Sequence, residues 1–454
     1  MNAPARLADA VARFGAPVPR YTSYPTAPHF HDGIDGGCYR RWLAELPAAT
    51  PVSVYVHIPF CDRLCWFCGC HTKQTRRYEP VRRYLAALQS EIGLVGAAAG
   101  GRLTLGELHL GGGSPSMIEP GDLAALGETL RRHFELTAQA RISVEIDPSD
   151  IGEGSIDGLK ALGMNRASIG VQDFDPRVQR AINRIQTFAD TAAVAQRLRA
   201  AGITSLNIDA LYGLPFQTRA TLERTIEQVV SLEPDRIALF GYAHVPWLKP
   251  HQRMIDDAAL PDLAERFAQA RLAEALLVQA GYVAIGIDHF ARPGDSLARA
   301  AAEGRLRRNF QGYTDDPCET LIGLGASAIG RLPSGHAQNI TATGNYMAAV
   351  SRDELPIARG IAFSADDRVR GHVIERLMCE FGFSGDELAA RHGAAARPVI
   401  AEARARAEAD RDGYFVREGD RFVITGAGRP FTRTIASWFD AYLGRGQARH
   451  SAGV

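Results

Sequence analysis

The chain has 454 residues, of which 46% are hydrophobic and 22% are charged, as in an ordinary globular protein. Its 51 Lys+Arg balance its 51 Asp+Glu, so no net field attracts nucleic acid or an anionic membrane, and we expect neither as a partner. Four of its seven cysteines are clustered and three are scattered, which is not the pattern of a secreted disulfide scaffold. We therefore expect a reducing, cytoplasmic location.

The first 50 residues are expected to form an N-terminal arm. The opening segment MNAPARLADAVARFGAPVPR contains no uninterrupted apolar region, because Arg6, Asp9 and Arg13 break it. It therefore does not fit a secretory signal. No stretch of the chain is long and apolar enough to predict a transmembrane helix.

Four cysteines, Cys61, Cys65, Cys68 and Cys70, lie within ten residues, directly after the apolar run SVYVHI. The first three have the spacing C-x3-C-x2-C on a short loop, so their thiolates can converge on one metal centre. Three sulfur ligands suit a four-iron cluster that leaves one iron open to a substrate or cofactor. The spacing therefore predicts chemistry at iron.

Two other metal sites compete with this interpretation. A structural zinc site usually draws on two C-x2-C pairs separated by a longer stretch, and the sequence has no second pair. A four-cysteine cluster of the ferredoxin type requires Cys70 as the fourth ligand, although ferredoxins place that cysteine further away. Both alternatives remain open at this point.

Residues 50–245 alternate short apolar runs with helical patterns, which predicts six βα units. Such units form a parallel sheet with helices outside, as a partial (β/α)6 barrel related to the TIM barrel. A flat doubly wound sheet is the alternative. Polar residues end almost every predicted strand, which favours the barrel, because strand ends share one rim there. These residues are His57, Gly111 to Ser114, Glu145, Gln172, Asp209 and Tyr242.

Beyond residue 245 the pattern loosens into a helix, a probable strand over YVAIGIDHF and a loop-rich region up to residue 360. Composition changes again near residue 361, where helical patterns flank a predicted hairpin around Glu418 and Gly419. We expect residues 51–360 to form the catalytic barrel with its extension. Residues 361–454 are expected to form a C-terminal helical domain that resembles a winged helix, whose interleaved acids argue against DNA binding.

Several motifs together carry a family resemblance over nearly the whole chain. They are RYTSYPTA, YVHIPFC with C-x3-C-x2-C-G-C, HLGGGSP, VEIDP, SIGVQDF, INRIQT, NIDALYGLP and RNFQGYT. The sequence thereby resembles the oxygen-independent coproporphyrinogen III oxidases, also called coproporphyrinogen dehydrogenases, of the radical S-adenosylmethionine superfamily. The resemblance implies an enzyme of haem biosynthesis that converts two propionates of coproporphyrinogen III to vinyl groups.

The resemblance also implies cofactors and the residues that bind them. The cofactors are a [4Fe-4S] cluster on Cys61, Cys65 and Cys68, and two molecules of S-adenosylmethionine per turnover. Ser114 stands where the family usually has threonine, which keeps the hydroxyl. The implied S-adenosylmethionine contacts are Tyr55, Phe67, Gly112, Gly113, Ser114, Glu145, Gln172, Arg184, Asp209, Ala243 and Ile329.

A substrate with four propionates calls for arginines or hydroxyl groups at the mouth of the pocket. We expect coproporphyrinogen III as substrate, an electron-donating reductase or flavodoxin as partner, and a monomer. The candidate substrate contacts are Arg20, Tyr21, Tyr24, Arg292, Arg308 and Gln311.

Two other functions stay open on the sequence. A radical-type haem chaperone or a haem-degrading methyltransferase shares the cysteine motif and the glycine loop. An iron–sulfur or zinc protein that binds nucleic acid through the C-terminal module is less compatible with the balanced charge.

Overall fold

The computed structural model describes residues 13–47, 51–152 and 154–444. The described part of the N-terminal arm contains the helix α1 (Gly36–Ala44), which Asp35 caps by accepting the Cys38 backbone N–H. Predictions that concern residues 1–12 lie outside the described residues, as do those on 445–454.

Strands and helices alternate through residues 52–241, as predicted. The strands and helices of this region are β1 (Val52–Ile58), β2 (Phe60–Cys61), β3 (Lys73–Gln74), α2 (Glu79–Ala98), β4 (Leu103–Gly112), α3 (Pro120–His133), β5 (Phe134–Ile146), α4 (Ser155–Leu162), β6 (Arg166–Gln172), α5 (Pro176–Ala181), α6 (Phe188–Ala200), β7 (Ser205–Tyr212), α7 (Arg219–Ser231) and β8 (Arg236–Gly241). Thr187 and Thr218 begin α6 and α7 with capping boxes, which satisfy N–H groups left free at the helix start. The local sequence therefore sets several of these helix starts.

The six long strands pair in parallel in the order β1-β4-β5-β6-β7-β8. Each strand is added on the same side of the preceding one, whereas a doubly wound sheet reverses direction at a switch point. The partial-barrel prediction is confirmed against the doubly wound alternative. The carboxyl ends of the six strands consequently lie along one rim.

Side chains alternate along these strands between an apolar layer and a polar one. In β6 and β7 every second residue is buried, and the residues between them are partly exposed. The buried set, which includes Ile169 and Ile208, belongs to the hydrophobic core. Because successive side chains point to opposite faces of a strand, the polar set faces the interior of the barrel.

Residues 263–362 are more regular than the sequence predicts. The segment YVAIGIDHF forms two short antiparallel strands rather than one strand, since Gly286 adopts a positive φ of 57° between them. The region expected to be rich in loops extends the sheet beyond β1. The elements are α8 (Leu263–Gln279), β9 (Val283–Ile285), β10 (His289–Ala291), α9 (Ser296–Ala302), β11 (Arg307–Asn309), β12 (Gly312–Thr314), β13 (Thr320–Leu324), β14 (Ile329–Leu332), β15 (Gly335–Asn339), α10 (Thr343–Val350) and β16 (Ile357–Ala362).

The C-terminal region contains helices and a three-stranded sheet of order β17-β19-β18. The predicted hairpin is present, with Glu418 paired to Arg421. The last predicted helix is shorter than expected. The elements are α11 (Ala365–Glu380), β17 (Gly382–Ser384), α12 (Gly385–His392), α13 (Ala396–Ala409), β18 (Phe415–Glu418), β19 (Arg421–Ile424) and α14 (Thr432–Ser437).

The arm contributes to two hydrophobic cores. Tyr39 and Trp42 pack into the core of the barrel, whereas Tyr21 and Tyr24 pack into the core of the C-terminal region. The predicted domain boundaries at residues 50 and 360 stay a prediction. Within the described ranges no helix is long and apolar enough to cross a membrane.

Candidate active site

A cleft of about 510 Å³ lies at the strand ends of the barrel. Its wall contains all four clustered cysteines, the glycine loop after β4 and polar side chains from β4 to β8. Residues from the arm and from the β11–β12 hairpin complete the wall. Motifs from the arm, the barrel and the β11–β12 hairpin, which are far apart in the sequence, therefore face one space.

The cysteine loop is held at both ends and along its length. β2 pairs with β3, so the loop leaves and returns at one place. The Gln252 side chain donates to the Phe67 carbonyl at 2.9 Å, and the Asn183 side chain donates to the Leu64 carbonyl at 2.9 Å. Two distant segments thus fix the backbone that presents the thiols.

The three thiols of the motif differ in environment. Burial raises the pKa of Cys61, and burial also raises the pKa of Cys65 although Arg184 opposes the effect. A hydrogen bond from the Cys70 side chain lowers the pKa of Cys68 to about 6, against the effect of burial. A bound metal ion deprotonates coordinating thiols directly, so the raised values do not prevent iron binding.

Within the described part of the chain, no three His, Cys, Asp or Glu side chains could hold a single metal ion together. In a four-iron cluster each thiolate binds a different iron. Cys61, Cys65 and Cys68 on the wall of one cleft provide the donor set that such a cluster needs.

The glycine loop after β4 requires its glycines. A Cβ on Gly112, whose φ is 103°, would lie 2.3 Å from the His57 ring, and one on Gly113 would lie 2.3 Å from the Phe60 carbonyl oxygen. The Gly113 and Ser114 N–H groups donate to the Ile58 and Phe60 carbonyls, each at 2.7 Å. Backbone therefore lies against backbone here, and the loop borders the cleft without side chains that would fill it.

Glu145 lies near the end of β5 and faces the glycine loop. Gly112 N–H donates to Glu145 Oε2 at 2.8 Å, and His109 Nε2 lies 3.2 Å from Glu145 Oε1. Burial raises the pKa of Glu145, but His109 and the Gly112 N–H more than offset it, and the net pKa is lowered. A carboxylate therefore stands ionised beside the loop, as a partner for a cationic ligand group.

Arg184 connects the cysteine loop to the strand ends. Its Nη1 donates to Asp147 Oδ2 at 2.9 Å and lies 3.6 Å from Cys65 Sγ, while its Nη2 donates to the Gly170 carbonyl at 2.6 Å. Asp175, although near Arg184 in sequence, lies 3.5 Å from Arg224 instead. Arg184 is thus a buried cation next to a predicted iron ligand.

Gln172 and Asp209 lie on the next strands of the rim. Gln172 borders the cleft with an unusual positive φ of 69°, a backbone strain that often accompanies function. Ser168 and Asn207 donate to the two oxygens of Asp209 at 2.9 and 2.7 Å. Burial and the charge of Glu145 raise the pKa of Asp209, so the two carboxylates repel each other across the cleft.

Of the four remaining predicted cofactor contacts, two line the cleft and two do not. Phe67 and Ala243 line the cleft, and Gln252 binds both of their carbonyls. Tyr55 stacks on His109, and Ile329 lies at the start of β14; neither borders the cleft itself. The roles of these four residues stay predictions.

The predicted substrate contacts do not form one group. Arg20 and Gln311 line the cleft. Tyr21, Tyr24 and Arg308 instead line a separate cavity of about 70 Å³ between the arm, β11 and α11. Tyr21 donates to Asp440 at 3.0 Å and Tyr24 accepts the Ala441 N–H at 3.0 Å, which anchors the arm to the C-terminal region.

Arg292, another predicted substrate contact, does not line the cleft, and its role stays a prediction. Its backbone N–H donates to the Asp235 carbonyl, and its side chain donates to the Pro234 carbonyl at 3.1 Å. Both residues precede β8, so Arg292 lies near the amino ends of the strands, away from the rim that carries the cysteine and glycine loops. The sequence around a single arginine in a polar segment does not indicate which end of the barrel its side chain will reach.

The floor of the cleft contains charges that the sequence reasoning missed. Arg236 lies 2.8 Å from Asp295 and 3.3 Å from Asp315, and Arg141 pairs with Glu107 and Asp315. Arg166 lies 3.7 Å from Asp315. Three arginines thus balance three carboxylates. The alternation of apolar with polar or glycine residues along β5 and β6 is the signal that predicts Arg141 and Arg166.

The donor set fits the two implied cofactors. Three thiols with no disulfide partner face the cleft, and a glycine cradle, an ionised Glu145 and a buried Arg184 surround the adjacent space. S-adenosylmethionine carries an amino group, a carboxylate and a sulfonium. The cleft offers both carboxylates and an arginine for these groups.

Comparisons with known proteins agree with this geometry. The pattern of the Radical SAM superfamily matches residues 55–229, and that of the HemN C-terminal domain matches residues 363–431. The chain is 47% identical over 448 residues to the oxygen-independent coproporphyrinogen III oxidase of Bradyrhizobium diazoefficiens, with 98% of this chain and 100% of the relative covered. The Escherichia coli protein of that name is 39% identical over 434 residues, covering 95% and 94% of the two chains.

A solved structure also aligns over most of the chain. It is coproporphyrinogen III oxidase (HemN) from Escherichia coli, described as a radical SAM enzyme. The TM-score is 0.88 at 38% identity, with 93% of this chain and 97% of that chain covered. The sheet, the cleft and the C-terminal region described above therefore have a counterpart of known structure.

Proposed function

Because the chain belongs to the family of oxygen-independent coproporphyrinogen III oxidases, we propose that it oxidatively decarboxylates coproporphyrinogen III to protoporphyrinogen IX. Each of two propionates loses a hydrogen atom, CO2 and one electron and becomes a vinyl group. The single observation that carries the proposal is the convergence of Cys61, Cys65 and Cys68 with the glycine loop and Glu145 on one cleft.

When bound, a [4Fe-4S] cluster and S-adenosylmethionine supply a carbon-centred radical that removes the hydrogen atom. Cys61, Cys65 and Cys68 would hold the cluster. Gly112, Gly113, Ser114 and Glu145 would bind the amino end of S-adenosylmethionine, since Glu145 is ionised and the loop leaves room for a ligand. These residues orient the cofactor rather than transfer protons.

Gln172, Arg184 and Asp209 would contact a second S-adenosylmethionine. Two propionates react, so two cofactor molecules are consumed for each substrate. The three residues follow Glu145 around the rim on β6, on the segment after α5 and on β7. The arrangement supports a second ligand beside the first, in which Arg184 offers a guanidinium to a carboxylate.

The interior position of the cleft protects a reactive radical from water. The arm and the β11–β12 hairpin contribute Arg20 and Gln311 to the wall. We propose these two residues as substrate contacts. Tyr21, Tyr24 and Arg308 would act indirectly, since they hold the arm and hairpin against the C-terminal region.

An external protein, a reductase or a flavodoxin, would supply the electrons. The three cysteines outside the motif, Cys38, Cys318 and Cys379, lie in α1, before β13 and in α11, so they do not suggest a second cluster. The free state of all seven cysteines supports a reducing cytoplasm. Exposed large hydrophobic residues are few among the described residues, which supports a monomer.

The alternative of a haem chaperone or haem-degrading methyltransferase is less well supported. The relatives named above are oxygen-independent coproporphyrinogen III oxidases, and their alignments cover 98% and 95% of this chain. Haem that stays bound through purification, with no decarboxylation, would favour the alternative.

An anaerobic assay tests the proposal. The protein is reconstituted with iron and sulfide and supplied with a chemical reductant, S-adenosylmethionine and coproporphyrinogen III. We expect 5′-deoxyadenosine, CO2 and protoporphyrinogen IX. Deoxyadenosine without the tetrapyrrole product would keep the enzyme class and reject the substrate, and the absence of both would reject the proposal.

A further inference from the structure

Four arginines cluster on the β8 side of the cleft, and two of them pair with the carboxylate of Asp288. Arg433 Nη2 lies 3.3 Å from Asp288 Oδ2, and Arg308 Nη1 lies 3.7 Å from Asp288 Oδ1. Arg20 Nη2 donates to the Gly241 carbonyl at 2.6 Å. Arg266 reaches the same point, since a Cβ on Gly241 would lie 3.2 Å from its Nη2.

Several donors of this group have no acceptor in the structure. The buried Nε atoms of Arg266, Arg308 and Arg433 lack a hydrogen-bond partner, as does Nη1 of Arg308. Arg308 and Arg433 are each only 7% exposed. Asp288 cannot satisfy them all, because His289 Nδ1 also lies 2.8 Å from its Oδ1. Unpaired guanidinium donors in a buried place are costly, so this group is suited to an anionic ligand.

The charge balance of this group differs from that of the cleft floor. On the floor, three arginines face three carboxylates. On the β8 side, the salt bridges of the four arginines reach one carboxylate, Asp288, through Arg308 and Arg433. Burial and the neighbouring charge of Arg433 lower the pKa of Arg20 to about 10, so Arg20 stays protonated at neutral pH. The excess positive charge therefore persists under working conditions.

The group opens to the cleft at a distance from the glycine loop. Arg20, Gly241 and His289 line the cleft, while the loop at Gly112 follows β4, four strands away. At a strand spacing of about 4.8 Å this corresponds to roughly 19 Å along the curved sheet. An anion at Arg20 is thus held on the far side of the cleft from the reacting groups.

We propose that Arg20, supported by Arg266 and Arg433, binds the carboxylates of the propionates that the reaction leaves intact. This inference rests on the proposed function, which supplies a substrate with four propionates, two of which persist in the product. Arg20 is the residue that touches the ligand. Arg266 and Arg433 are positioning residues, which hold positive charge behind Arg20 and aim it into the cleft.

Porphyrin binding to the reconstituted holoprotein tests this site without turnover. The probe is coproporphyrin III, the oxidised macrocycle with four propionates, titrated by its absorbance in the absence of reductant and S-adenosylmethionine. Loss of a charge-assisted contact is expected to weaken binding by roughly 10- to 100-fold in Arg20→Ala. Arg20→Lys should recover part of the loss. Arg40→Ala, which removes an exposed arginine of α1, should bind like wild type.

A second experiment changes the ligand instead of the protein. In the tetramethyl ester of coproporphyrin III the carboxylates are blocked, while Arg20 is kept. The ester should bind weakly, and equally, to wild type and Arg20→Ala. For the positioning role, Arg433→Gln should weaken binding of the acid form several-fold and Arg433→Lys should restore it. Iron content and S-adenosylmethionine affinity should match wild type in every variant, which reports that each has folded.

Two results would overturn the proposal, and they differ in whether the proposed function is rejected with it. Equal affinity of wild type and Arg20→Ala for coproporphyrin III rejects the carboxylate site and leaves the proposed function standing. A wild-type holoprotein that cleaves S-adenosylmethionine but binds no coproporphyrin III rejects the site together with the proposed substrate.

Discussion

Glu145 on β5 accepts the backbone N–H of Gly112 on β4 at 2.8 Å, so the carboxylate is fixed beside the glycine loop. His109 lies on the other oxygen of the carboxylate at 3.2 Å. These two contacts keep Glu145 ionised in spite of its burial. The arrangement leads to a direct prediction for cofactor binding.

Replacing Glu145 by glutamine removes the charge and keeps the side-chain volume. We expect S-adenosylmethionine to bind about 10- to 100-fold more weakly, because a hydrogen bond to a charged group is worth about 1.5–3 kcal/mol. Equilibrium dialysis of the reconstituted protein measures the affinity. Glu128→Gln, on the exposed face of α3, serves as the matched control, and an unchanged affinity in Glu145→Gln would count against the assigned role.

The cysteine assignment predicts different outcomes for different thiols. Alanine at Cys61, Cys65 or Cys68 should abolish the cluster, because three thiolates are the minimum that holds four irons in this site. Alanine at Cys318 should leave the cluster intact, since that thiol lies before β13. Iron and sulfide analysis after anaerobic reconstitution measures the result. Full iron content in any of the three motif variants would show that its thiol is not a ligand.

The Arg184–Asp147 ion pair is expected to stabilise the fold only when both partners are present. The side chains are 8% and 15% exposed, so Arg184→Gln leaves a largely buried carboxylate without its cation. We expect a loss of about 3–5 kcal/mol in the free energy of unfolding. The double variant Asp147→Asn/Arg184→Gln should recover part of this loss. Urea unfolding of the cluster-free proteins gives both numbers, and additive losses would show that the pair does not interact.

Glu91 on α2 predicts a pH dependence of stability. It accepts hydrogen bonds from Gly325 N–H, Asn339 and Tyr346, yet burial raises its pKa from 4.5 to about 7. Between these two values the folded state binds more protons than the unfolded state, so the contribution of Glu91 falls as pH rises from about 4.5 to 7. The decrease amounts to about 3 kcal/mol at 1.36 kcal/mol per pKa unit.

The Glu91 prediction is measured as a difference between two proteins. Glu91→Gln lacks the titrating carboxyl, so the melting temperature of wild type relative to this variant should drop between pH 5 and pH 8. Glu227→Gln removes an exposed carboxyl of α7 and should show no such trend against wild type. A constant difference between wild type and Glu91→Gln across this range would show that Glu91 does not titrate there.

Local patterns in the sequence predict the barrel and the motifs on its rim, but not every partner of those motifs. The six βα units have clear periodicity, and His57, Glu145 and Asp209 end or nearly end strands that meet at one rim. Parallel pairing of the strands then brings these side chains to one rim, and this does not depend on the conformation of the connecting loops. Arg184 was found by family resemblance, and its partner Asp147 becomes visible only in three dimensions.

The differences between the predicted and the observed structure have the same cause, because they depend on contacts between segments that are distant in the sequence. β14 to β16 are short and contain glycine and polar residues, so they depend on pairing outward from β13, which pairs with β1, more than on local propensity. Arg292 and Arg20 look alike in sequence, yet one lies before β8 and the other beside the end of that strand. Only the path of the chain separates them.

Transfer of deuterium tests the central claim most directly. Coproporphyrinogen III labelled at the β-carbons of its propionates is incubated anaerobically with the reconstituted protein, S-adenosylmethionine and a reductant. The account predicts that 5′-deoxyadenosine gains one deuterium for each molecule formed, with one CO2 released per vinyl group. Unlabelled 5′-deoxyadenosine produced alongside protoporphyrinogen IX would contradict it.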